Sequence, residues 1–380
     1  MFLTYKYRLK NNSTQRTLRR YALAVNQVCN YCNAVQKDIE RRYREGAPKR
    51  KWPSHFDLQK MTKGTSNELG IHAQTVQGVC EQFSKSRDAA RRSLQFRTSA
   101  GSKRSLGWIP FQKQSRQVTK NSITYLGKTF RFFGSKRRPL PETAKGGCFV
   151  EDARGRWWVC FHVEIEPKPL AVITKVGIDL GLKTLATLSD GTRIDSVQPL
   201  RKYATKLAIA QRAHNKKRVR AIHNKIVNVR KDYLHKASAK IIKKYGFIAV
   251  GDVSSSKLAK TLMAKSVIDA GWTIFRNMLS YKASRHSATF IRVDEKFTTQ
   301  RCSCCQEIPD GSPKGRGALG IREWVCSLCG VSHDRDVNAA KNILALALSV
   351  QGPVEGSRSV IRTDKRISTE NSVGYLDFLT

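Results

Sequence analysis

The chain has 380 residues and carries 70 Lys and Arg against 29 Asp and Glu, a net charge of +41. That length allows two or three packed domains. The charge excludes an enzyme of neutral ligands: self-repulsion on this scale is tolerable where a polyanion supplies counter-charge, and nucleic acid is the obvious one, with a basic membrane surface as the alternative. There is no apolar run of about 18 residues and Met1-Phe2-Leu3-Thr4-Tyr5-Lys6 is no signal peptide, so the chain reads as cytoplasmic.

Residues 2–9 alternate as a short strand. Thr14-Gln15-Arg16 then opens a helical pattern to about Glu45, with Leu18, Tyr21, Val25, Val28 and Cys32 on one face. Cys29 and Cys32 lie on this helix without a second pair nearby and read as core thiols. A basic loop, Pro48-Lys49-Arg50-Lys51-Trp52-Pro53, leads to a second helical pattern over roughly 69–96. From about 104 to 167 the texture becomes β-rich, with runs at 122–125, 129–133, 148–151 and 157–166 punctuated by Gly and Pro. This region predicts a barrel or sandwich, completed by the strand at 2–9, into which the helices are inserted.

Residues 171–300 carry an α/β pattern. An apolar strand covers 172–180, with hairpin partners at 184–188 and 193–195. A long basic helix is expected over about 200–244, a buried strand at 247–250, helix again over 262–287 and a strand at 289–294. A cysteine-rich segment over 301–330 precedes a helix over 334–349, and 351–380 is a polar tail without strong pattern.

The ten cysteines of a cytoplasmic chain point to thiols or metal ligands rather than disulfides. Cys302 and Cys305 form one two-residue-gap corner, Cys326 and Cys329 another, separated by 20 residues rich in Gly and Pro. Such corners each present two thiolates from a tight turn, and four together suit tetrahedral zinc. Cys304 is a spare thiol that competes with Cys305. A four-thiolate zinc has no open position, so its expected role is structural.

Two carboxylates draw attention on chemical grounds. Asp179 ends an apolar strand in Val176-Gly177-Ile178-Asp179-Leu180-Gly181, and Asp336 opens the late helix in His333-Asp334-Arg335-Asp336-Val337-Asn338-Ala339-Ala340. Phosphodiester cleavage by two divalent ions needs carboxylates that converge from rigid elements, and hard oxygen donors suit magnesium. The plainer readings are a turn aspartate for Asp179 and an N-cap for Asp336, with Asp334 the competing carboxylate.

These strings, together with the cysteine corners in the same order, resemble TnpB, the RNA-guided nuclease family of insertion sequences and relative of the type V CRISPR effectors. The resemblance covers essentially 1–350. It implies a wedge-like β-barrel over 1–12 and 104–170, a helical recognition module over 13–103, a RuvC/RNase H-like nuclease domain over 171–300 and 331–350, and a zinc-finger insertion over 301–330. It further implies a magnesium-dependent endonuclease using two ions, with Asp179 and Asp336 as ligands. The implied partners are a guide RNA from the transposon end and a double-stranded DNA target, bound by a monomer in a ribonucleoprotein of the prokaryotic nucleoid.

The chain departs from the family at its second motif. The strand there should end in Glu, and Ile248-Ala249-Val250-Gly251-Asp252 has Gly251 in its place. Glu295, at the end of Phe290-Ile291-Arg292-Val293-Asp294-Glu295, is the strongest substitute, reaching from an adjacent strand; the resemblance extends to a subgroup with such a relocated glutamate. Asp252 and Asp294 suffer from parity, because a one-residue step turns a strand side chain to the other face. The rival reading is a nuclease-dead, RNA-guided repressor that occupies DNA without cutting it. A transposase that joins strands directly is a third.

Basic clusters occur throughout: Arg19-Arg20, Arg41-Arg42, Lys49-Arg50-Lys51, Arg91-Arg92, Lys136-Arg137-Arg138, Lys216-Lys217-Arg218 and Lys243-Lys244. Their spread fits an extended channel for phosphates better than one groove-reading helix. Tyr43, Trp52, Phe56 and Tyr125 could stack on bases, but core packing suits most of them better.

Overall fold

The structure, a computed structural model, describes residues 2–10, 14–46, 52–101, 103–134, 139–140, 144–253, 264–314 and 317–350. These fall into two units, one over 2–165 and one over 166–350. The basic clusters at 49–51 and 136–138 and the tail at 351–380 lie outside the described residues.

The first unit runs β1 (Phe2–Arg8), α1 (Gln15–Arg44), α2 (His55–Met61), α3 (Thr65–Leu69), α4 (Ala73–Ala90), β2 (Trp108–Phe111), β3 (Arg116–Thr119), β4 (Ser122–Tyr125), β5 (Lys128–Arg131), β6 (Ala144–Glu151) and β7 (Trp157–Glu164). One antiparallel sheet has the order β1-β7-β6-β2 and a second the order β3-β4-β5, with Leu9 bridging to Phe132 between them. The first strand pairs with the aromatic strand, β1 against β7, with Tyr5 opposite Phe161. Leu18, Val25 and Cys32 of α1 and Val79 and Phe83 of α4 enter the same core as Phe111, Phe130, Phe149 and Phe161. Helices and sheets are therefore one packed body. Each buried Leu, Val or Phe in it contributes roughly 1.5–3 kcal/mol of burial.

The helical expectation for this unit needs correcting. The second helical pattern is α4 alone, because Arg91 takes a left-handed φ of 51° and ends it. The short α2 and α3 before it were hidden by their polarity. Tyr125 is a core residue at 1% exposure, its hydroxyl paired with Thr75, so it does not stack on bases. Trp52 is half-buried under the Arg87 guanidinium, whereas Tyr43 and Phe56 are exposed.

The second unit is a mixed α/β assembly. It contains β8 (Lys175–Leu180), β9 (Thr184–Leu188), β10 (Arg193–Asp195), α5 (Pro199–Arg212), α6 (Lys216–Lys244), β11 (Phe247–Gly251), α7 (Ala264–Ala270), α8 (Trp272–Arg285), β12 (Thr289–Val293), β13 (Glu323–Val325), β14 (Ser332–Asp334) and α9 (Arg335–Ser349). The sheet order is β10-β9-β8-β11-β12, with β8, β11 and β12 parallel, β9 antiparallel to β8 and β10 antiparallel to β9.

The long helix expected over 200–244 is two helices. His214 adopts a positive φ of 50°, and the Asn215 side chain accepts the Arg218 amide as an N-cap, so the chain turns back. Leu207 and Ala210 of α5 then pack with Ile222 and Ile226 of α6. The helix expected over 262–287 is likewise broken, at Gly271 with φ 68°.

Side-chain parity sorts the sheet into two faces. Val176, Ile178 and Leu180 of β8 and Ile248 and Val250 of β11 share a core with α6, α7 and α8. The alternate residues Phe247 and Ala249 of β11 and Ile291 and Val293 of β12 pack instead against Ile343, Leu344 and Ala347 of α9. The helix comes very near the sheet at Gly177. A Cβ there would overlap the Ala340 carbonyl oxygen at 2.0 Å, so only glycine fits under α9.

Candidate functional site

Asp179 lies two residues beyond Gly177 on β8 and so faces α9. Asp336 lies one helical turn before Ala340, the residue seated over Gly177. Parallel register pairs Ile178 with Val250 and Gly251 with Val293, which sets Asp179, Gly251 and Val293 in one row across three strands. Glu295 follows Val293 by two residues. It is not the last residue of a strand as expected, since β12 stops at Val293 and Glu295 occupies the following turn. Its parity nevertheless sends its side chain to the α9 face.

The space left by the missing side chain at Gly251 belongs to Glu295. A Cβ at Gly251 would stand 2.9 Å from Glu295 Oε2 and 3.4 Å from Glu295 Cβ, with Ile343 Cδ1 at 3.2 Å. Glu295 thus lies across the end of β11, where the expected glutamate would have projected.

The electrostatics agree with a convergence of like charges. Burial pushes the Asp179 carboxyl up to about 8, with the carboxylates of Glu295 and Asp336 adding to the rise and Arg335 opposing it. Asp179 and Asp336 are both half-buried. Burial likewise raises Glu295 to about 7, reinforced by Asp252 and Asp294 and opposed by Arg276.

The competing carboxylates are occupied elsewhere. Asp334 is the N-cap of α9: its Oδ1 accepts the Val337 amide at 2.9 Å and its Oδ2 accepts from Arg193 at 2.6 Å. Asp336 is therefore a first-turn residue and not the cap, and it accepts from Arg322 Nη1 at 3.0 Å. Asp252 sits on the opposite face and pairs with Arg276 of α8. Asp294 is exposed.

Below this cluster the four cysteines come together. The Sγ atoms of Cys302, Cys305, Cys326 and Cys329 all lie within 4.8 Å of one another. Cys302 to Cys329 is 3.6 Å and Cys305 to Cys326 is 3.8 Å. Four sulfurs about 2.3 Å from one zinc stand about 3.8 Å apart in a tetrahedron, so the spacing fits that ion. Cys304 is exposed and stays outside the set. Unforeseen from the spacing, His333 Nε2 approaches Cys302 Sγ at 3.0 Å, and its ring packs at a tilt against Trp324, centroids 4.9 Å apart. The β13–β14 hairpin that carries both rings was not anticipated either; its strands are only three residues each.

Comparison with known proteins adds independent information. The OrfB_IS605 family, described as "Probable transposase", matches residues 159–262, and the family described as "Cas12f1-like, TNB domain" matches 272–343. A Streptomyces pristinaespiralis protein named "Putative RNA-guided DNA endonuclease" is 36% identical over 239 residues, covering 58% of this chain and 58% of that protein. The Escherichia coli K12 protein named "Putative RNA-guided DNA endonuclease InsQ" is 29% identical over 233 residues, covering 53% and 56%. Over these stretches the chain is similar to proteins named as RNA-guided DNA endonucleases. More distantly, the "CRISPR-associated endodeoxyribonuclease Cas12f1" of Sulfoacidibacillus thermotolerans is 26% identical over 222 residues, covering 51% of each. The chain spans a little over half the length of the curated relatives it matches. Among the described residues, no helix is long and apolar enough to cross a membrane.

Proposed function

We propose that the chain is an RNA-guided DNA endonuclease that cleaves next to a short flanking motif, with Asp179, Glu295 and Asp336 as ligands for two magnesium ions and Cys302, Cys305, Cys326 and Cys329 as ligands for a structural zinc. The observation that carries the reading is the Glu295 carboxylate lying over Gly251, in the row of Asp179, whose carboxyl both Glu295 and Asp336 push up. In this reading the second unit is a RuvC/RNase H-like nuclease domain with a zinc-finger insertion, and the first a wedge-type β-barrel interrupted by a helical recognition module. The partners are a guide RNA from the transposon end and double-stranded target DNA, held by a monomer in a cytoplasmic, nucleoid-associated ribonucleoprotein.

Each residue has a definable part. Asp179 on β8 and Asp336 on α9 are fixed by elements packed directly on one another, which limits their motion. Glu295 supplies the third set of oxygens from a turn, through a side chain long enough to cross to the neighbouring strand. Burial among like charges makes Asp179 and Glu295 poor places for lone anions and good ones for hard cations. Magnesium bound there would supply activation of water and charge neutralisation at the leaving oxygen. Arg19, Arg20, Arg41, Arg42, Lys216, Lys217, Arg218, Lys243 and Lys244 are exposed and suited to phosphate contacts. Base pairing by the guide would supply sequence specificity.

The test is a cleavage assay on protein purified with its co-transcribed RNA, using plasmids that carry the matched target beside a randomised flank. Linear product is expected, and it should vanish in Asp179→Ala and Glu295→Ala. Salt-sensitive binding without linearisation would replace the endonuclease by a guided repressor. Normal cutting by Glu295→Ala would remove Glu295 from the ligand set.

A further inference from the structure

Glu295 has no strand to hold it. It lies two residues past the last residue of β12, at the start of a run of turns that continues to the first cysteine corner. Within that run Phe297 adopts φ 65°, a left-handed conformation unfavourable for a bulky residue, which persists only where surroundings enforce it. The enforcement comes from α9. Asn342 Nδ2 donates to the carbonyls of Thr298 at 2.8 Å and Arg301 at 2.6 Å. Asn338, one helical turn earlier, donates Nδ2 to the same Arg301 carbonyl at 2.7 Å and, more distantly, to that of Thr298 at 3.5 Å. Its Oδ1 accepts the Ser303 amide at 2.8 Å, inside the Cys302–Cys305 corner. Thr298 in turn donates both its amide, at 3.1 Å, and its hydroxyl, at 2.8 Å, to the Glu295 carbonyl. Asn338 and Asn342 are each 1% exposed and Thr298 3%.

We infer that Asn338, Asn342 and Thr298 are positioning residues that set Glu295 against Asp336 and tie the zinc corner to the carboxylate cluster. The inference rests on the proposed metal-binding role of those carboxylates. The geometry has a specific logic. Asn338 and Asp336 are two residues apart on α9, so whatever the Asn pair holds is held in the frame of Asp336. A buried side-chain amide is costly unless satisfied, and here both amides spend their donors on one short segment, the one that orients the relocated glutamate. The two donors share their acceptors, so either alone retains most of the link. Loss of both leaves two carbonyls unpaired and the turn free to carry Glu295 away from Gly251.

The experiment uses the full chain and manganese as the probe, read by electron paramagnetic resonance, with Asp179→Ala defining the specific sites. The single variants Asn338→Leu and Asn342→Leu should weaken manganese binding about twofold to threefold, and the double variant tenfold or more, beyond the product of the singles. Zinc should remain at one per chain, while hydrogen exchange across 295–303 accelerates in the double variant. Thr298→Val should weaken manganese binding where Thr298→Ser, which keeps the hydroxyl, does not; this pair decides the matter if the double variant fails to fold. Unchanged manganese affinity in the double variant, or in Thr298→Val, overturns the inference, as does a weakening accompanied by zinc loss. A wild-type chain without Asp179-dependent manganese sites would instead defeat the proposed function, and the exchange measurement would still report whether the amides hold the turn.

Discussion

The thiolate corner and the carboxylate cluster lie in the same unit and are built on opposite terms. The four cysteines come as two local pairs, each fixed by its own turn, and their sulfurs already stand at the edges of a zinc tetrahedron. The carboxylates come from β8, from the turn after β12 and from α9, and they repel one another: Asp179 is raised by both of the others. A closed site of soft donors serves the fold, because binding energy there is folding energy. An assembly of like charges weakens the metal-free fold and gains when cations arrive. The same contrast governs how tightly each must be supported, since local turns position the cysteines while a relocated glutamate depends on buried amides of a neighbouring helix.

The contrast can be broken most sharply at the zinc site. Cys326→Ser, or extraction by a strong chelator, should unfold the 302–334 segment and abolish cleavage, whereas removing magnesium should leave the fold intact and stop cleavage reversibly. Circular dichroism and zinc content, compared between the two treatments, check this; equal unfolding by both would erase the distinction.

A second test moves the carboxylate back. Glu295→Ala should reduce cleavage by more than the roughly 10–100-fold typical of residues that merely support a metal ligand. Adding Gly251→Glu in that background should restore part of the loss, because Glu295 no longer fills the space over Gly251. No recovery in a folded, zinc-containing double variant would count against the equivalence of the two positions. Gly251→Glu alone should be impaired, since its Cβ already meets Glu295 Oε2 at 2.9 Å.

The smallest expected effect concerns pH. Asp179 has a folded value near 8 against about 4 when unfolded, so the folded chain holds its proton more tightly. Its stabilising contribution is complete below pH 4 and is lost as pH rises through 8. In metal-free protein, Asp179→Asn should raise the melting temperature above pH 7 by at least about 2–4 °C, the shift that 1 kcal/mol gives, relative to wild type, a gap that shrinks toward pH 5. Divalent ions should stabilise the wild type and not the variant. A gap that widens as pH falls would contradict the burial of that carboxylate.

Much of this arrangement was legible in the chain itself, for reasons that differ by element. The cysteine corners, the apolar strand before Asp179 and the α1 stripe of Leu18, Tyr21, Val25, Val28 and Cys32 are local patterns, and local patterns survive folding. Parity reasoning separated Glu295 from Asp294 and Gly251 from Asp252, and the two faces of the sheet obey it. What escaped were features set by tertiary contact or by a single cap: the break at His214-Asn215, the helix break at Gly271 and the early end of β12. Asn338 and Asn342 carried a signal that went unused. Two carboxamides four residues apart on the buried stripe of an apolar helix must find partners, and those partners were the backbone beside Glu295.

Where hard cations settle decides the role of these carboxylates most directly. Anomalous diffraction from manganese-soaked crystals should give two peaks about 4 Å apart, bounded by Asp179, Asp336 and Glu295. Peaks coordinated without Glu295, or none at Asp179 and Asp336, would contradict it.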